Sequence, residues 1–562
     1  MDYILYILIM MSLYAILATS FNLLIGYGGL FALSHAAFYA FGAYATAILT
    51  TQLGWPFPLP MIAGIAFSAG VGALVALPAL RVSGVYLVIV TLALQIIVVQ
   101  VLNNGGTLTG GTDGITGVPA LGIGSLVLDS PGAFLPVAAA FAAVCFWVAY
   151  RLAHSPFGRS LRAMRENESA AQAAGKNLVY MKLVVFAFAA GLAAVAGSLF
   201  AHYFQYVGPQ SFTIEETIYI LAMVIIGGTG NLWGSVAGAF LLVILPELLN
   251  FLALPSEVAD KARLLIYGLL LIVILRFRPQ GLFGEKASTG HVLAGEDQAV
   301  EPGVTLATLQ DDAATVVGRA LHKSFGGVVA VADFDIELHS GRVTGLIGPN
   351  GAGKTTAFNM LTGFLKPDRG TIEFNGRDVT GLKPHRIVHE GMARSFQDLR
   401  LFRRMTVLEN VLVSLPRQSG DRVWAVYLRP GLIRREERDN IARAMGVLQF
   451  VGLADKANEL AEDLSYAEEK LLVIARLLAT GAEVLLFDEP LSGLDPNTLQ
   501  ALLPTIRKLA EHGKTVCIIE HNLDVIKGVC DVVFFLDEGH AMAVGTPEEL
   551  MSDPELAARY FK

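Results

Sequence analysis

The chain has 562 residues, of which 54% are hydrophobic and only 16% are charged, and its formal net charge is −8 at pH 7. Soluble proteins are nearer 25% charged, so the composition excludes a wholly soluble protein, and the acidic balance argues against nucleic acid as a partner. The length leaves room for several domains. The three cysteines have neither metal-binding nor disulfide spacing, which is consistent with a reducing cytosol around the C-terminal half of the chain.

Apolar residues are concentrated in the first half of the chain. Up to residue 150 the charged residues are Asp2, Arg81, Asp113 and Asp129. We read about nine candidate membrane spans, most with the ~20 apolar residues that a bilayer needs. They lie near residues 3–25, 30–49, 59–77, 85–101, 133–150, 181–204, 214–226, 232–252 and 262–275. The start of the chain lacks a basic region and a small-residue cleavage site, which favours a retained span over a signal peptide.

Lysine and arginine predict the orientation of these spans. The most basic loop, residues 151–182, is expected in the cytoplasm, as are Arg276 and Arg278 after the last span. Four spans separate these points, so both fall on one side, and counting backward places Met1 outside. The Gly- and Thr-rich segment 103–132 then lies outside, either as a flexible loop or as a docking surface for an external partner.

A polar tether and then a soluble half follow the apolar half. Residues 285–306 contain Gly, Pro and acidic residues without an apolar period, which is typical of a linker. We therefore divide the chain into a membrane domain (1–284), a linker (285–306) and a soluble domain (307–562).

The soluble domain contains a phosphate-binding motif. A short apolar strand, residues 342–347, and a helix beginning near Thr356 flank a match to G-x-x-x-x-G-K-[ST]. In this motif backbone N–H groups surround the phosphates, Lys354 reaches the terminal ones and Thr355 offers its hydroxyl to Mg²⁺. The motif is Gly348-Pro349-Asn350-Gly351-Ala352-Gly353-Lys354-Thr355.

The remaining catalytic candidates follow predicted strands. Residues 483–490 are predicted to form a buried strand that ends in two carboxylates. Asp488 would hold Mg²⁺, directly or through water, and Glu489 would act as the general base toward water. His521 follows the strand 514–519 and is placed to contact the γ-phosphate and the attacking water. Gln397 precedes a charged helical segment and is placed to sense Mg²⁺ and the water. Phe325, before the motif, is the candidate for stacking on adenine.

Both halves resemble one family. The membrane half resembles the permease subunits of branched-chain amino acid ABC importers at residues 20–45, 80–98, 103–115, 155–175 and 225–239. The soluble half resembles their ATPase subunits, most closely at residues 391–413 and 518–526. The resemblance implies the following roles: Phe325 as the adenine platform, Gly348 to Thr356 as the Walker A loop, Gln397 in the Q-loop, Asp488 and Glu489 as the Walker B pair, Asp495 in the D-loop and His521 as the switch histidine.

One motif departs from the family pattern. The signature LSGGQ, or LSYGEQ in this subgroup, reads LSYAEEK at residues 464–470, so that Ala467 replaces a glycine and Glu469 replaces a glutamine. In the family, each ATP lies between the Walker motifs of one subunit and the signature of the other. The signature of this chain includes Ser465. We expect the site that borrows this signature to be the weaker one, unless the change is a tolerated variant.

The loop 151–182 reads as a short amphipathic helix, a turn at Gly175 and the start of another helix. It is the candidate for a coupling element resting on an ATPase surface; the alternative is a solvated basic loop.

These inferences predict an all-α polytopic membrane domain of about nine spans fused to an α/β P-loop NTPase of the ABC ATPase type. The expected activity is ATP hydrolysis with Mg²⁺, coupled to import of branched-chain amino acids or related small solutes across the cytoplasmic membrane. An exporter half-transporter and an ATP-regulated membrane scaffold are the alternatives. The expected partners are a second permease and a second ABC ATPase subunit, or a second copy of this chain, together with an external solute-binding protein and membrane lipid.

Overall fold

The computed structural model describes residues 2–80, 84–123, 126–250, 268–269, 272–274, 276–278, 280–285, 314–494 and 496–553. These residues form two compact units that do not follow chain order. The segment Glu166–Asn177, from the membrane half, belongs to the ATP-binding unit, and the segment Arg422–Leu428, from the soluble half, belongs to the membrane unit.

The first half of the chain is helical, as its apolar runs predict. The helices are α1 (Asp2–Asn22), α2 (His35–Thr51), α3 (Leu59–Ala76), α4 (Val85–Asn104), α5 (Pro131–Ala153), α6 (Pro156–Glu166), α7 (Glu168–Ala173), α8 (Leu178–Phe204), α9 (Ile214–Gly227) and α10 (Leu232–Asn250). A π-helical turn, Leu23–Tyr27, ends α1 before the chain leaves the helix at Gly28.

Each of the first eight predicted spans overlaps one of these helices over most of its length. Among the residues that the structure describes, five helices are long and apolar enough to cross a bilayer: Asp2–Tyr27, Leu59–Leu80, Val85–Asn104, Pro131–Ala153 and Leu178–Phe204. Helix α2 has 17 residues and α9 has 14, below the usual length of a straight span. Most of the ninth predicted span, the linker after Glu285, and Arg81 lie outside the described residues, so the number of spans and their orientation stay predictions.

Small residues let α2 and α8 approach closely. Gly42 of α2 lies against the backbone of Ala194, and Gly197 of α8 lies against the backbone of Tyr39, so a side chain at either glycine would collide with the other helix. Helix association in lipid depends on such close backbone contact, because burial from water gives little driving force there.

Side chains of neighbouring helices satisfy the backbone where helices begin or break. The amide of Asn22 donates to the Ser235 hydroxyl at 2.6 Å and accepts from the N–H of Gly230 at 2.9 Å, which joins the end of α1 to the start of α10. At the start of α2, the N–H of Ala37 donates to Gln95 at 2.8 Å and that of Ala36 donates to Thr217 at 3.0 Å. Inside a membrane such groups must find protein partners because water is excluded.

The Gly- and Thr-rich segment 103–132 carries short strands as well as turns. Strand β1 (Ile115–Thr116) pairs antiparallel with β4 (Tyr206–Val207), while β2 (Leu121–Ile123) pairs antiparallel with β3 (Leu126–Leu128). The segment thus contains regular secondary structure, and whether it is flexible stays a prediction. Its role as a docking surface stays a prediction.

The soluble half contains two sheets and further helices. The strands are β5 (Ala314–Phe325), β6 (Val328–His339), β7 (Val343–Ile347), β8 (Arg369–Phe374), β9 (Arg377–Asp378), β10 (Met392–Arg394), β11 (Val484–Asp488), β12 (Thr515–Ile519), β13 (Val532–Asp537) and β14 (His540–Gly545). The helices are α11 (Lys354–Leu361), α12 (Pro384–Glu390), α13 (Val407–Ser414), α14 (Val423–Leu428), α15 (Pro430–Val451), α16 (Tyr466–Ala479), α17 (Pro496–Glu511), α18 (Leu523–Val529) and α19 (Pro547–Ser552).

The larger sheet positions the site. Its strand order is β10-β11-β12-β7-β13-β14, and the first five strands run parallel. Strands β7, β11 and β12 are buried along their whole length, which explains their continuous apolar sequences. The second sheet is antiparallel, in the order β6-β5-β8-β9. Parallel strands bring their carboxyl ends to one edge, where ligands bind in open α/β sheets.

Candidate active site

The phosphate-binding motif forms the turn between β7 and α11. Gly348, Gly351 and Gly353 have φ values of 147°, 85° and 99°, which L side chains rarely adopt. The Lys354 ammonium lies inside this turn and donates to the carbonyl oxygens of Gly348 at 2.7 Å and Pro349 at 2.8 Å. The loop therefore holds its own cation where the phosphates of a nucleotide are expected.

Electrostatics around Lys354 suit an anionic ligand. Burial lowers the pKa of Lys354, while the negative charges of Glu489 and Asp488 oppose that shift. Lys354 is only 6% exposed, so the negative charge of a bound phosphate would act on its ammonium group with little screening by water and would stabilise the charged form. Thr355 and Asn350 are exposed at the rim of the loop, and Thr356 is half-buried.

Three of the predicted catalytic residues meet at the carboxyl ends of β10, β11 and β12. The Gln397 amide donates to one carboxylate oxygen of Glu489 at 3.2 Å, and Nε2 of His521 lies 3.1 Å from the other. Glu489 has a φ of 49°, an uncommon value for a residue other than glycine. Strained backbone of this kind is concentrated at functional sites.

Asp488, next to this cluster, is buried at the end of β11. Its side chain is 2% exposed, and its N–H donates to the Ser395 hydroxyl at 2.9 Å. Burial raises the pKa of Asp488, and the positive charge of Arg394 opposes that shift.

Arg394 is a site residue that the sequence analysis missed. Its guanidinium donates to Asp488 at 3.2 Å and to Asn359 of α11 at 2.5 Å, and it lies 4.7 Å from the centre of the Phe396 ring. The side chain is 3% exposed, and burial lowers its pKa to about 10. A lone arginine at the end of the apolar run Gly391–Ala393, four residues before the acidic Asp398, was the available sequence signal.

Lys470 and Glu520 are two further buried charged residues near Glu489. Lys470 of α16 donates to the carbonyl oxygen of Glu489 at 2.9 Å, and Glu520 accepts from the N–H of Leu491 at 3.0 Å. Burial lowers the pKa of Lys470, and the negative charges of Glu520 and Glu489 oppose that shift. Burial raises the pKa of Glu520, and the hydrogen bonds that it accepts from the N–H groups of Leu491 and His521 oppose that shift. The start of α16 is thus tied to the backbone of Glu489, a contact between distant residues that the sequence did not reveal.

The altered signature is the amino-terminal cap of α16. The Ser465 hydroxyl donates to Glu468 at 2.8 Å, and the two residues form a capping box. Glu469 is buried, and its carboxylate lies 3.6 Å from the Arg403 guanidinium of the same chain. The charge of Glu469 is therefore balanced locally, which weakens the electrostatic part of the expected asymmetry, whereas the argument from Ala467 is unaffected.

Of the remaining predicted residues, Phe325 belongs to the second, antiparallel sheet. Phe325 ends β5 with 47% of its surface exposed, and the Lys323 ammonium lies 5.7 Å from the centre of its ring. An exposed ring beside a cation is compatible with stacking on a base, and that role stays a prediction. Asp495 lies outside the described residues.

Comparison with known proteins identifies both halves. Residues 3–275 match the family model described as branched-chain amino acid transport system, permease component, and residues 331–492 match the model described as ABC transporter. The high-affinity branched-chain amino acid transport ATP-binding protein LivG of Salmonella typhimurium is 40% identical over 243 residues, which cover 43% of this chain and 95% of the relative. The chain belongs to the ABC transporter family.

A second relative of this ABC transporter chain agrees with that assignment. The corresponding protein BraF of Pseudomonas aeruginosa is 38% identical, with 42% of this chain and 93% of BraF covered. A solved structure of a nucleotide-free ATP-binding cassette from an ABC transporter is 31% identical, covers 44% of this chain and 99% of its own, and has a TM-score of 0.39. The predicted fold class, a helical permease domain fused to an α/β ABC ATPase domain, is confirmed.

The ATP-binding unit of this transporter includes the segment Glu166–Asn177, the middle part of the predicted coupling loop 151–182. The carboxylate of Glu166 accepts from the N–H of Arg404 at 3.1 Å, and the Lys176 ammonium lies 2.6 Å from Asp421. A cleft of about 850 Å³ is bordered by Asn167 of this segment, by Gln397 and by Glu469. The segment thus lies beside residues from both the Q-loop and the signature.

Proposed function

We propose that this chain is one half of an importer that takes up small amphipathic solutes, such as branched-chain amino acids or related amides and organic acids, at the expense of ATP. The observation that carries the proposal is Glu489, held between Gln397 and His521 beside the phosphate-binding loop. The relatives named for branched-chain amino acid transport support the solute class.

In the proposed reaction, water attacks the γ-phosphate of ATP in line with the leaving oxygen. Glu489 accepts the proton of that water, and His521 and Gln397 keep the carboxylate oriented toward it. Lys354 exchanges the carbonyls of Gly348 and Pro349 for the terminal phosphates. Catalysis then rests on positioning and on fixed charge, because no covalent intermediate is needed.

The residues proposed to hold Mg²⁺ fit that ion. Thr355, Gln397 and Asp488 supply hydroxyl, amide and carboxylate oxygens, the hard donors that Mg²⁺ prefers. When bound, Mg²⁺ neutralises charge on the phosphate oxygens. Since Arg394 already donates to one oxygen of Asp488, the other carboxylate oxygen is the one available to the ion or its water.

The proposed assembly needs a second permease and a second ATPase, from another chain or from a copy of this one. Ser465 is exposed at the amino terminus of α16, where it can approach the nucleotide of a partner subunit. Ala467 adds a methyl group where the family has glycine, so the site that borrows this signature is the weaker of the two. An external solute-binding protein delivers the solute.

We further propose that the transporter resides in the cytoplasmic membrane with its ATP-binding unit in the cytoplasm. In that arrangement the segment Glu166–Asn177 passes the motion of the ATPase to the spans on either side of it. The segment's position within the ATP-binding unit supports this role.

The test is solute uptake and ATP hydrolysis in proteoliposomes, with and without an external binding protein. Glu489→Gln should abolish both activities, whereas Glu511→Gln, an exposed glutamate at the end of α17, should leave both unchanged. Uptake that persists in Glu489→Gln would refute the catalytic proposal. Solute-dependent ATP hydrolysis without the binding protein, with solute leaving the cytoplasmic side, would favour an exporter.

A further inference from the structure

Helix α14 is a short apolar segment of the soluble half that belongs to the membrane unit. Its sequence, VWAVYL, is flanked by Arg422 and Arg429. Val423, Ala425 and Val426 are buried on one face, whereas Trp424 is 46% exposed and Leu428 is 75% exposed.

Hydrogen bonds attach α14 to the end of α5. The Tyr427 hydroxyl donates to the carbonyl oxygen of Val148 at 2.7 Å, and Arg151 donates to the carbonyl oxygen of Val426 at 3.0 Å. The Tyr427 ring also stacks on Phe188 of α8, with ring centres 6.0 Å apart and planes 10° apart. These contacts fix the depth of α14 relative to two helices long enough to span the membrane.

The end of α5 has the composition of a membrane–water boundary. Trp147 is 54% exposed and Tyr150 is 40% exposed, and the Arg151 guanidinium lies 5.6 Å from the centre of the Trp147 ring. Tryptophan and tyrosine are enriched at this level of the bilayer, and arginine reaches from it toward water.

Trp424 and Leu428 are four residues apart, so they lie on one face of α14, opposite the buried residues. That exposed face continues the exposed aromatic surface of α5, because Tyr427 also contacts Trp147, with ring centres 6.5 Å apart. A short helix with an apolar face and flanking arginines is the composition that lies in a bilayer interface.

We propose that α14 is an interfacial helix whose Trp424 and Leu428 face contacts the lipid at the boundary between headgroups and acyl chains. Arg422 and Arg429 then lie at the level of the phosphates. The ATP-binding half of the sequence thereby contributes a lipid-contacting anchor of its own, beside the spans contributed by the permease half.

The test uses site-directed spin labels on the full chain in vesicles of phosphatidylcholine and phosphatidylglycerol. Labels are placed at Leu428→Cys, at Ile97→Cys as a lipid reference on α4 and at Val328→Cys as an aqueous reference on β6. Ile97 and Val328 are 57% and 70% exposed, so all three labels begin on open surfaces, and the native cysteines are buried.

Collisions with oxygen and with a water-soluble nickel chelate report the surroundings of each label. The label at position 428 should resemble that at 97, with an oxygen-to-nickel collision ratio several-fold above that at 328 and a shallower depth than 97. A ratio matching position 328 would overturn the proposal. Exclusion of both reagents from 428 would also overturn it, since a protein surface, such as a second copy of the chain, would then cover α14.

Discussion

Replacing Arg394 with methionine removes one side of the ion pair formed with Asp488. Both side chains are almost fully buried, at 3% and 2% exposure, so Asp488 would lose its charged partner in a largely water-excluded position. Removing one partner of such a pair costs about 3–5 kcal/mol, because the remaining charge is left buried and uncompensated. Hydrogen exchange of β11 should therefore become roughly 10²- to 10⁴-fold faster.

A second arginine–aspartate pair provides the control. Arg507 lies 2.7 Å from Asp531, closer than the 3.2 Å of the buried pair, yet its side chain is 44% exposed and that of Asp531 is 29% exposed. Exposed pairs are worth about 0–1 kcal/mol, so Arg507→Met should accelerate exchange around Asp531 by less than roughly fivefold.

Exchange measured by mass spectrometry on the full chain in detergent separates these outcomes by segment. The double variant Arg394→Met with Asp488→Asn should lose less protection than the two single variants combined, because it leaves neither charge unpaired. Equal effects of Arg394→Met and Arg507→Met, or additive effects in the double variant, would show that burial does not set the strength of this pair.

Three further predictions follow from contacts in the ATP-binding unit. Thr406→Ala breaks the capping box with Glu409 and should destabilise α13 by about 1 kcal/mol, read as faster exchange of that helix alone. The hydrogen bond from Lys456 is the main cause that lowers the pKa of Glu468 to about 2. The stability that Glu468 gives to α16 is therefore complete above its usual pKa near 4.5 and is lost as the pH falls toward 2. Hydrogen exchange of the first turn of α16, corrected for intrinsic rates, should rise only below about pH 4.5. Asp421→Ala should release the segment Glu166–Asn177 more than Lys176→Met, because Lys176 is 5% exposed and would keep an unpaired buried charge, whereas Asp421 is 31% exposed; the reverse order of exchange rates would contradict this.

The parts of the site that the sequence predicted depend on local pattern and on sheet topology. The loop from Gly348 to Thr355 is one continuous motif, so its geometry follows from its own glycines. The meeting of Gln397, Glu489 and His521 follows from three strands that run parallel, since each residue comes just after a strand end.

The parts that the sequence did not reveal are contacts between distant residues whose types are individually common. Arg394 and Asp488 are 94 positions apart. Lys470 donates to the backbone carbonyl oxygen of Glu489, and every residue type has such an oxygen, so the sequence gives no signal for this contact. Helix α14 was hidden for a different reason. Its six residues are too few to form a periodic pattern. It also belongs to the membrane unit, although its position in the sequence lies in the half that the composition predicted to be soluble.

Arg394 also gives a physical basis for coupling within the ATP-binding unit. Its side chain contacts Asp488 at one end, and it borders a cavity of about 20 Å³ that Ala173 of the segment Glu166–Asn177 also lines. A shift of the arginine therefore changes its packing against the residues that line this space. Any change in charge at Asp488 during nucleotide turnover alters the energy of the pair and therefore the preferred position of Arg394. The segment that borders the same cavity is the part of the membrane half best placed to respond, and replacing Arg394 should uncouple uptake from ATP hydrolysis more than it slows hydrolysis itself.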